Sequence, residues 1–272
     1  MDKFYRPPTP FSYYQASAPP PDYTLESKAE LIYNFIDRYE INNTFSEKLS
    51  LLENYEIVLL LDDSGSMNTP LNDNTSYNTR WDELKANVKI IIELATIYDE
   101  NGIDIYFLNR SNYYNVKSLN QINNILEEKP TGLTPLTEKL KTIFKNYENS
   151  LKPVLVVIAT DGLPTKGASH DLSNVKKLLL QKNHFKFFIS FLACSDQKYD
   201  IGYLNDLDKN VPNVDTLDDY HSEKKEVLSA QGKYFKYTYG DHIVRLLLGP
   251  ICKDLDKLDE NTNCLFSSCN II

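Results

Sequence analysis

The sequence predicts an α/β fold in which a doubly wound, mostly parallel sheet carries helices on both faces. Three observations support this class: short apolar runs, segments with helical periodicity between them, and the alternation of the two along the chain. Continuous apolar runs are typical of strands that are buried on both faces, as in a parallel sheet. At 272 residues, the chain suits one sizeable domain with appendages.

A Pro- and Tyr-rich leader occupies residues 1–25, and we expect it to be disordered. Proline fixes φ and removes a hydrogen-bond donor, and the leader has few aliphatic side chains to bury. It contains Pro20-Pro21-Asp22-Tyr23, which matches the short Pro-Pro-x-Tyr pattern bound by WW-type adaptor domains. Pro20, Pro21 and Tyr23 are therefore candidate partner-binding residues, and a plain linker is the alternative.

Residues 26–54 are predicted to form a helical extension, because Leu31, Ile32, Phe35 and Ile36 recur at helical spacing. A second short helix is expected near residues 49–52. We expect both helices to cover the main domain, which spans 55–250 and is followed by a tail over 251–272.

Strands and helices alternate through the main domain. The predicted strands are rich in apolar residues and lie at 56–61, 103–108, 153–160 and 185–192. The predicted helices place apolar residues near one face and lie at 80–98, 119–128, 135–147 and 171–182. Shorter elements continue around 200–208, 213–216, 220–231 and 241–249. Tyr113 and Tyr114 fall in a predicted loop, where they are candidates for a partner contact.

Two of the buried strands are followed directly by an aspartate, Asp62 and Asp161. In an open α/β sheet, ligands bind beyond the carboxyl ends of the strands, near the switch in strand order. The loops that contain these aspartates are therefore candidates for one site. In the first loop, Ser64 and Ser66 alternate with Asp62 around a Gly-assisted turn. Thr134 offers a further hydroxyl just before a predicted helix start, where proline is favoured.

Carboxylates and hydroxyls are hard oxygen ligands, which suit Mg²⁺ or Mn²⁺ in six-coordinate geometry. Thiol and imidazole groups are missing from the loops that contain Asp62, Thr134 and Asp161, which argues against zinc. The residues themselves thus predict a magnesium or manganese site at the end of the sheet.

The set Asp62-x-Ser64-x-Ser66, Thr134 in Gly-x-Thr-Pro-Leu and Asp161 in Thr-Asp-Gly-x-Pro-Thr resembles the von Willebrand factor type A (vWA) domain. In that family this constellation is the metal-ion-dependent adhesion site (MIDAS). The resemblance implies a Rossmann-like sheet and one Mg²⁺ or Mn²⁺, held by all five residues directly or through water. In the family, an acidic side chain of a partner protein fills the open coordination position.

The resemblance covers residues 54–250 and includes Arg80-Trp81-Asp82-Glu83-Leu84-Lys85, which resembles the opening of the family's first helix. Two departures stand out. The polar stretch over 68–79 is expected to form a flap over the metal, and the N-terminal extension and the Cys-containing tail have no counterpart in a minimal domain.

The function implied is a non-enzymatic, metal-dependent protein-interaction module that captures an exposed Asp or Glu of another protein. A scaffold protein of the same fold that acts without metal is the first alternative. A Mg²⁺-dependent phosphoryl-transfer enzyme is the second. It is disfavoured because Ser64 stands where haloacid-dehalogenase-like enzymes carry a second Asp, and because no Gly-x-x-x-x-Gly-Lys-Ser/Thr loop occurs.

The formal net charge of −9, from 29 Lys and Arg against 38 Asp and Glu, argues against a nucleic-acid partner. An acidic surface is expected at Asp206, Asp208, Asp215, Asp218 and Asp219. The four cysteines are too few and too widely spaced for a disulfide scaffold. With neither a secretory signal nor an apolar run long enough to span a membrane, we expect a cytoplasmic protein.

Overall fold

The computed structural model describes residues 25–71, 77–195 and 198–259. Its strands, in chain order, are β1 (Glu56–Leu61), β2 (Ile103–Phe107), β3 (Tyr113–Val116), β4 (Val154–Thr160), β5 (Thr165–Lys166), β6 (Ser169–His170), β7 (Phe187–Ala193) and β8 (Val214–Leu217). Six of them form one sheet in the order β3-β2-β1-β4-β7-β8, and β5 pairs with β6 alone. Within the sheet every pairing is parallel except that of β2 with β3. The predicted α/β class with a mostly parallel sheet is confirmed.

Helices connect the strands. In chain order, those of the described residues are α1 (Leu25–Arg38), α2 (Asn43–Ser46), α3 (Arg80–Tyr98), α4 (Asn123–Glu127), α5 (Leu136–Asn146), α6 (Leu172–Gln181), α7 (Lys198–Asn210), α8 (Tyr220–Gln231), α9 (Tyr239–Leu248) and α10 (Lys253–Asp256). Short 3-10 segments occur at Leu49–Asn54, Gly65–Asn68, Leu119–Gln121 and Lys257–Asp259.

The sheet separates two hydrophobic cores, because successive side chains of a strand point to opposite faces. From β1, Ile57, Leu59 and Leu61 join one core, whereas Val58 and Leu60 join the other. Helices α1, α3, α8 and α9 add side chains to the first core, and α5, α6 and α7 add side chains to the second. Helices therefore cover both faces of the sheet.

The first core also takes in residues on either side of the main domain. Phe35 of α1 and Phe45 of α2 are buried in it, as are Leu49 and Leu52 of the following 3-10 segment. Two leucines after α9, at positions 255 and 258, are buried in the same core. The N-terminal extension and the start of the tail thus share their core with the sheet.

Two short strand regions differ from the sequence-based expectation. Tyr113 lies in β3, where it pairs with Ile105, so the loop predicted there is wrong. Only one of the four residues of the edge strand β3 is buried, and such a strand has no apolar run to reveal it. The same reason applies to the β5–β6 hairpin. The helix expected over 119–128 is a 3-10 segment followed by α4.

The expected acidic surface is also wrong at one position. Asp215 is only 2% exposed. It follows Val214 on β8, so its side chain points to the other face of the sheet, on the side where α9 packs. Within residues 25–71, 77–195 and 198–259, none of the helices has both the length and the apolar character needed to cross a membrane.

Candidate metal centre

The predicted site lies where the strand order changes direction. The chain runs from β1 to β2 and β3 on one side of the sheet, and then continues with β4 on the other side of β1. Asp62 and Asp161 directly follow these two central strands, and both are almost fully buried. The Asp62 backbone N–H donates to the Ala159 carbonyl at 2.9 Å, which aligns the two strand ends. This is the position where ligands bind in open α/β sheets.

Four of the predicted ligands form a continuous series of contacting oxygen groups. Ser64 bonds to Asp62 through both its side chain and its backbone N–H, which lies 2.9 Å from Asp62 Oδ1. Ser64 Oγ lies 3.0 Å from Ser66 Oγ. Ser66 Oγ in turn donates to Asp161 Oδ1 at 2.8 Å. The structure therefore brings together Asp62, Ser64, Ser66 and Asp161.

Thr134 is held beside these residues by backbone contacts. The Gly65 N–H donates to the Gly132 carbonyl at 3.1 Å, so the loop before α5 lies against the first loop. Gly132 has a φ of 104°, and a Cβ there would lie 2.5 Å from the Asn109 side chain. Thr134 N–H donates to Thr165 Oγ1 at 3.0 Å. The fifth predicted residue thus lies at the same end of the sheet, 6% exposed.

The charge of Asp161 affects its buried neighbour Asp62. Burial, and to a smaller extent the negative charge of Asp161, raise the pKa of Asp62 to about 6. Hydrogen bonds from Ser64 and Thr160 oppose that shift; Thr160 Oγ1 donates to Asp62 Oδ2 at 2.7 Å. Because ionised carboxylates in a buried site need compensation, this pair requires a cation nearby.

One such cation belongs to the protein. Arg80, the first residue of α3, is buried, and its Nη1 donates to Asp161 Oδ2 at 2.8 Å. Its Nη2 donates to Ser195 Oγ at 2.8 Å. Sequence reasoning included Arg80 only in the resemblance of a helix start and missed this contact. A single arginine carries no spacing pattern, so only its place beside the strand ends could have suggested the pairing.

Asp63, although next to Asp62, points elsewhere. Its Oδ1 accepts from the Asn109 backbone N–H at 2.8 Å, and its Oδ2 lies 3.3 Å from Arg110 Nε. Both partners follow β2. Asp63 therefore anchors the loop after β2 and leaves Asp62 as the carboxylate that faces Ser64.

The polar stretch after the first loop folds back on itself. Pro70 and Thr79 form an antiparallel bridge, and the Leu71 N–H donates to the Asn78 carbonyl at 3.2 Å. Residues 72–76, the tip of the expected flap, lie outside the described residues. So do the candidate partner-binding residues Pro20, Pro21 and Tyr23, together with the last two cysteines.

The donor set fits a hard divalent cation. Asp62 and Asp161 supply two negative charges, and Arg80 returns one positive charge, so these three side chains keep a net charge of −1. The hydroxyls of Ser64 and Ser66 add neutral oxygen donors within contact of the carboxylates. Oxygen donors of this kind suit Mg²⁺ or Mn²⁺ better than softer metals.

No protein-family model matches the chain, and no curated protein matches it. Among solved structures, the PilB minor pilin from Streptococcus sanguinis is similar over 77% of this chain and 63% of that chain, at 12% identity and a TM-score of 0.46. The D319A mutant of the same pilin is similar over 76% of this chain and 62% of that chain, at 13% identity and a TM-score of 0.47. This chain spans less than two thirds of either pilin chain. Similarity at this level assigns neither a family nor a function.

Proposed function

We propose that this protein is a non-enzymatic interaction module of the vWA type, which binds Mg²⁺ or Mn²⁺ at a MIDAS and captures an acidic side chain of a partner protein. The observation that carries the proposal is the continuous contact from Asp62 through Ser64 and Ser66 to Asp161. Those oxygens meet at the switch in strand order, where an α/β sheet presents a ligand to solvent.

In this proposal, Asp62, Ser64, Ser66, Thr134 and Asp161 hold the ion directly or through water. Ser66 is exposed, whereas Asp62 and Asp161 are buried, so the site opens to solvent on the serine side. When bound, the ion supplies a positive centre to which an exposed Asp or Glu of another protein can bind.

The composition affects how such a partner approaches. A net charge of −9 repels an acidic partner over distances up to a Debye length of about 8 Å. Attraction then arises only at contact, from the ion itself. We therefore expect docking to be weak whenever divalent ions are removed.

The ion pair between Arg80 and Asp161 favours a second candidate, a scaffold protein of the same fold that acts without metal. In that case Arg80 is the permanent counter-ion of Asp161, and binding to partners does not respond to chelation. A phosphoryl-transfer enzyme remains disfavoured, because the position two residues after Asp62 holds Ser64, which cannot serve as an acid–base carboxylate. Cytoplasm stays our proposed compartment, in keeping with the free thiols of Cys194 and Cys252.

Water-proton relaxation of Mn²⁺ tests the proposal in two steps. First, the full chain is titrated with Mn²⁺, and the same titration is repeated on the D62N/D161N variant. We expect the variant to bind one ion fewer. Asp82→Asn is the matched control, because Asp82 lies in the first turn of α3 and pairs with Lys85 rather than with the site.

In the second step, a pentapeptide with a central Asp is added to the Mn²⁺-loaded protein, and its Asn counterpart is added to a parallel sample. Only the Asp peptide should displace metal-bound water and lower the relaxation rate. Equal Mn²⁺ stoichiometry in wild type and D62N/D161N, or equal effects of the two peptides, would overturn the proposal and leave the scaffold candidate.

A further inference from the structure

Two apolar side chains are almost fully exposed at the end of the sheet opposite the candidate metal centre. Leu151 lies in the loop before β4 and Phe185 in the loop before β7, with relative exposures of 103% and 95%. Because β4 and β7 are parallel neighbours that pair Val154 with Phe187, both loops enter the sheet at the same end. Single exposed apolar residues are common on protein surfaces, whereas adjacent ones mark a binding surface.

A lysine holds the two loops side by side. Lys186 follows Phe185 in the chain. Its Nζ donates to the backbone carbonyls on either side of Leu151, those of Ser150 and Lys152, the latter at 3.0 Å. The positions of Leu151 and Phe185 relative to each other are therefore fixed by hydrogen bonds between their loops.

The loop that carries Phe185 is itself a tight turn. The Asn183 carbonyl accepts from the N–H groups of Lys186 and Phe187 at 3.0 and 2.9 Å. Asn183 Oδ1 accepts from the Phe185 N–H at 3.0 Å. The turn thus presents the Phe185 ring to solvent from a fixed backbone, which lowers the entropy cost of binding through this ring.

A groove of about 330 Å³ lies beside the two loops. Its apolar lining includes Phe144 and Phe187, whose ring centroids are 4.5 Å apart. Its charged lining consists of one acidic residue, Glu148, and three lysines, Lys145, Lys182 and Lys186. These four side chains carry a net charge of +2, in a chain whose formal net charge is −9.

The buried lysine of the groove keeps its charge. Lys182 Nζ donates to the Pro212 carbonyl at 2.7 Å and lies 3.0 Å from His184 Nδ1, and neither partner is an anion. Burial lowers the pKa of Lys182 to about 8, so most of the side chain is still protonated at neutral pH. Lys152 does not add to this positive charge, because it faces two carboxyl groups beside β1.

We propose that the two loops and the groove, the amino-end surface, bind an anionic phospholipid bilayer. Leu151 and Phe185 then insert at the boundary between headgroups and acyl chains, while the lysines contact lipid phosphates. A bilayer fits better than a protein partner, because lipid surrounds a projecting side chain on all sides. A protein would need two pockets at the spacing of these two residues.

Charge determines the orientation on such a bilayer. Outside the groove the chain is net negative, so an anionic bilayer repels the rest of the protein and attracts the amino-end surface. Strand β4 has 7 residues, which corresponds to about 23 Å, and Asp161 follows its far end. The candidate metal centre then faces away from the lipid. Membrane binding needs neither the ion nor its five proposed ligands, so it is independent of the proposed function.

Vesicle sedimentation of the full chain tests this inference. One set of vesicles contains phosphatidylcholine and phosphatidylserine in equal amounts, and the other contains phosphatidylcholine alone. EDTA is present throughout, so that no divalent ion links the lipid to Asp62 and Asp161. We expect the protein to sediment only with the phosphatidylserine vesicles, and we expect higher salt to release it.

Variants of the exposed apolar residues test their insertion. Leu151→Ser and Phe185→Ser should each weaken vesicle binding about tenfold, because lipid no longer buries an apolar side chain there. Both residues are exposed, so L151S/F185S should keep the Tm of wild type. Tyr234→Ser is the matched control and should bind as wild type does. Tyr234 is 90% exposed beside Lys233, but the chain next to it packs against the core on the other face of the sheet.

A lysine variant tests the electrostatic contribution. Lys145 is exposed in the groove, and Lys145→Gln should weaken binding to the phosphatidylserine vesicles about fivefold. The inference is overturned if wild type binds neither kind of vesicle or both equally, or if L151S/F185S binds as wild type does.

Sedimentation equilibrium without lipid addresses a second copy of the chain as the occupant of the amino-end surface. We expect wild type and L151S/F185S to have the same mass. If wild type self-associates, L151S/F185S is monomeric and neither binds vesicles, this surface is an interface between copies and the membrane inference is wrong. Because the Mn²⁺ titration contains no lipid, the proposed MIDAS stands or fails separately.

Discussion

Arg80 Nη1 lies 2.8 Å from Asp161 Oδ2, and both side chains are nearly inaccessible to solvent. The start of α3 therefore places a fixed positive charge against one of the two carboxylates that we propose as metal ligands. A guanidinium in this position stabilises Asp161 when no ion is bound, and it repels a cation that binds between Asp161 and Asp62. Arg80 is therefore expected to raise the stability of the ion-free protein and to lower its affinity for a divalent ion.

Replacing Arg80 with Gln should separate the metal-binding and scaffold candidates. Without divalent ions, we expect R80Q to lose about 3–5 kcal/mol of unfolding free energy, because the change leaves a buried charge unpaired. Adding Mg²⁺ should restore part of that loss, and the ion should bind R80Q more tightly than wild type. Urea denaturation with Mg²⁺ and with EDTA measures both effects.

The matched control for R80Q is Arg110→Gln, because Arg110 pairs with the buried Asp63 outside the series of contacting oxygens. We expect R110Q to lose stability without any rescue by Mg²⁺. If Mg²⁺ fails to stabilise R80Q, Arg80 is the permanent counter-ion of Asp161, and the scaffold candidate is the better one.

Removing the loop hydroxyls should weaken ion binding while leaving the fold intact. Ser66 is exposed, and the contact between Ser64 Oγ and Ser66 Oγ is only partly buried, so S64A/S66A should cost no more than about 1–2 kcal/mol of stability. Mn²⁺ affinity, measured by calorimetry, should fall because two oxygen donors are lost. An unfolded double variant would instead show that these hydroxyls are structural.

The sequence predicted the central strands and helix α3 well, because burial on both faces leaves a continuous apolar run and because α3 keeps its apolar residues at helical spacing. The expected helix over 80–98 agrees with Arg80–Tyr98, and the expected strand over 56–61 agrees with Glu56–Leu61. The edge strand β3 could not be predicted in this way, since only one of its four residues is buried and the strand carries no such run.

The candidate site was predictable for a related reason. Asp62 and Asp161 directly follow two buried strands, and parallel strands bring their carboxyl ends to one edge of the sheet. The contact between Arg80 and Asp161 and the burial of Asp215 depend instead on how α3 and α9 pack against that sheet. Such long-range packing leaves no local pattern in the chain.

The pKa of Asp62 makes the stability of the metal-free protein depend on pH. Because burial raises this pKa from 3.8 to about 6, the folded state binds a proton more readily than the unfolded state. The penalty of an ionised Asp62 is thus fully present above pH 6 and is relieved as the pH falls from 6 towards 3.8. Over that window, Asp62 should contribute up to about 3 kcal/mol of added stability.

Urea denaturation in EDTA at several pH values, compared between wild type and Asp62→Asn, isolates this contribution. The difference in unfolding free energy between Asp62→Asn and wild type should narrow, or reverse in favour of wild type, as the pH falls below 6. Mn²⁺ affinity should weaken over the same range, because protons compete with the ion for the carboxylate. If the unfolding free energies of wild type and Asp62→Asn change with pH in parallel, Asp62 has the same pKa in the folded and the unfolded state.

His242 should give the opposite pH dependence. It is fully buried on α9, with Nδ1 3.3 Å from the Tyr237 hydroxyl and the ring among Tyr220, Tyr237 and Tyr239. Burial and the nearby Arg245 lower the pKa of His242 from 6.5 to about 3. The unfolded chain therefore binds the proton first. The stability contributed by neutral His242 is complete above pH 6.5 and is lost as the pH falls towards 3.

The loss should approach about 1.4 kcal/mol for each pH unit below 6, which is the free-energy value of one proton bound only by the unfolded state. His242→Gln keeps a polar partner for Tyr237 but cannot titrate, so its stability should fall less steeply than that of wild type between pH 6 and 4. Exposed His221→Gln is the control and should follow the wild-type slope. The carboxylates contribute equally to the pH dependence of all three proteins. If the unfolding free energies of wild type and H242Q fall equally steeply with pH, the folded core accommodates protonated His242.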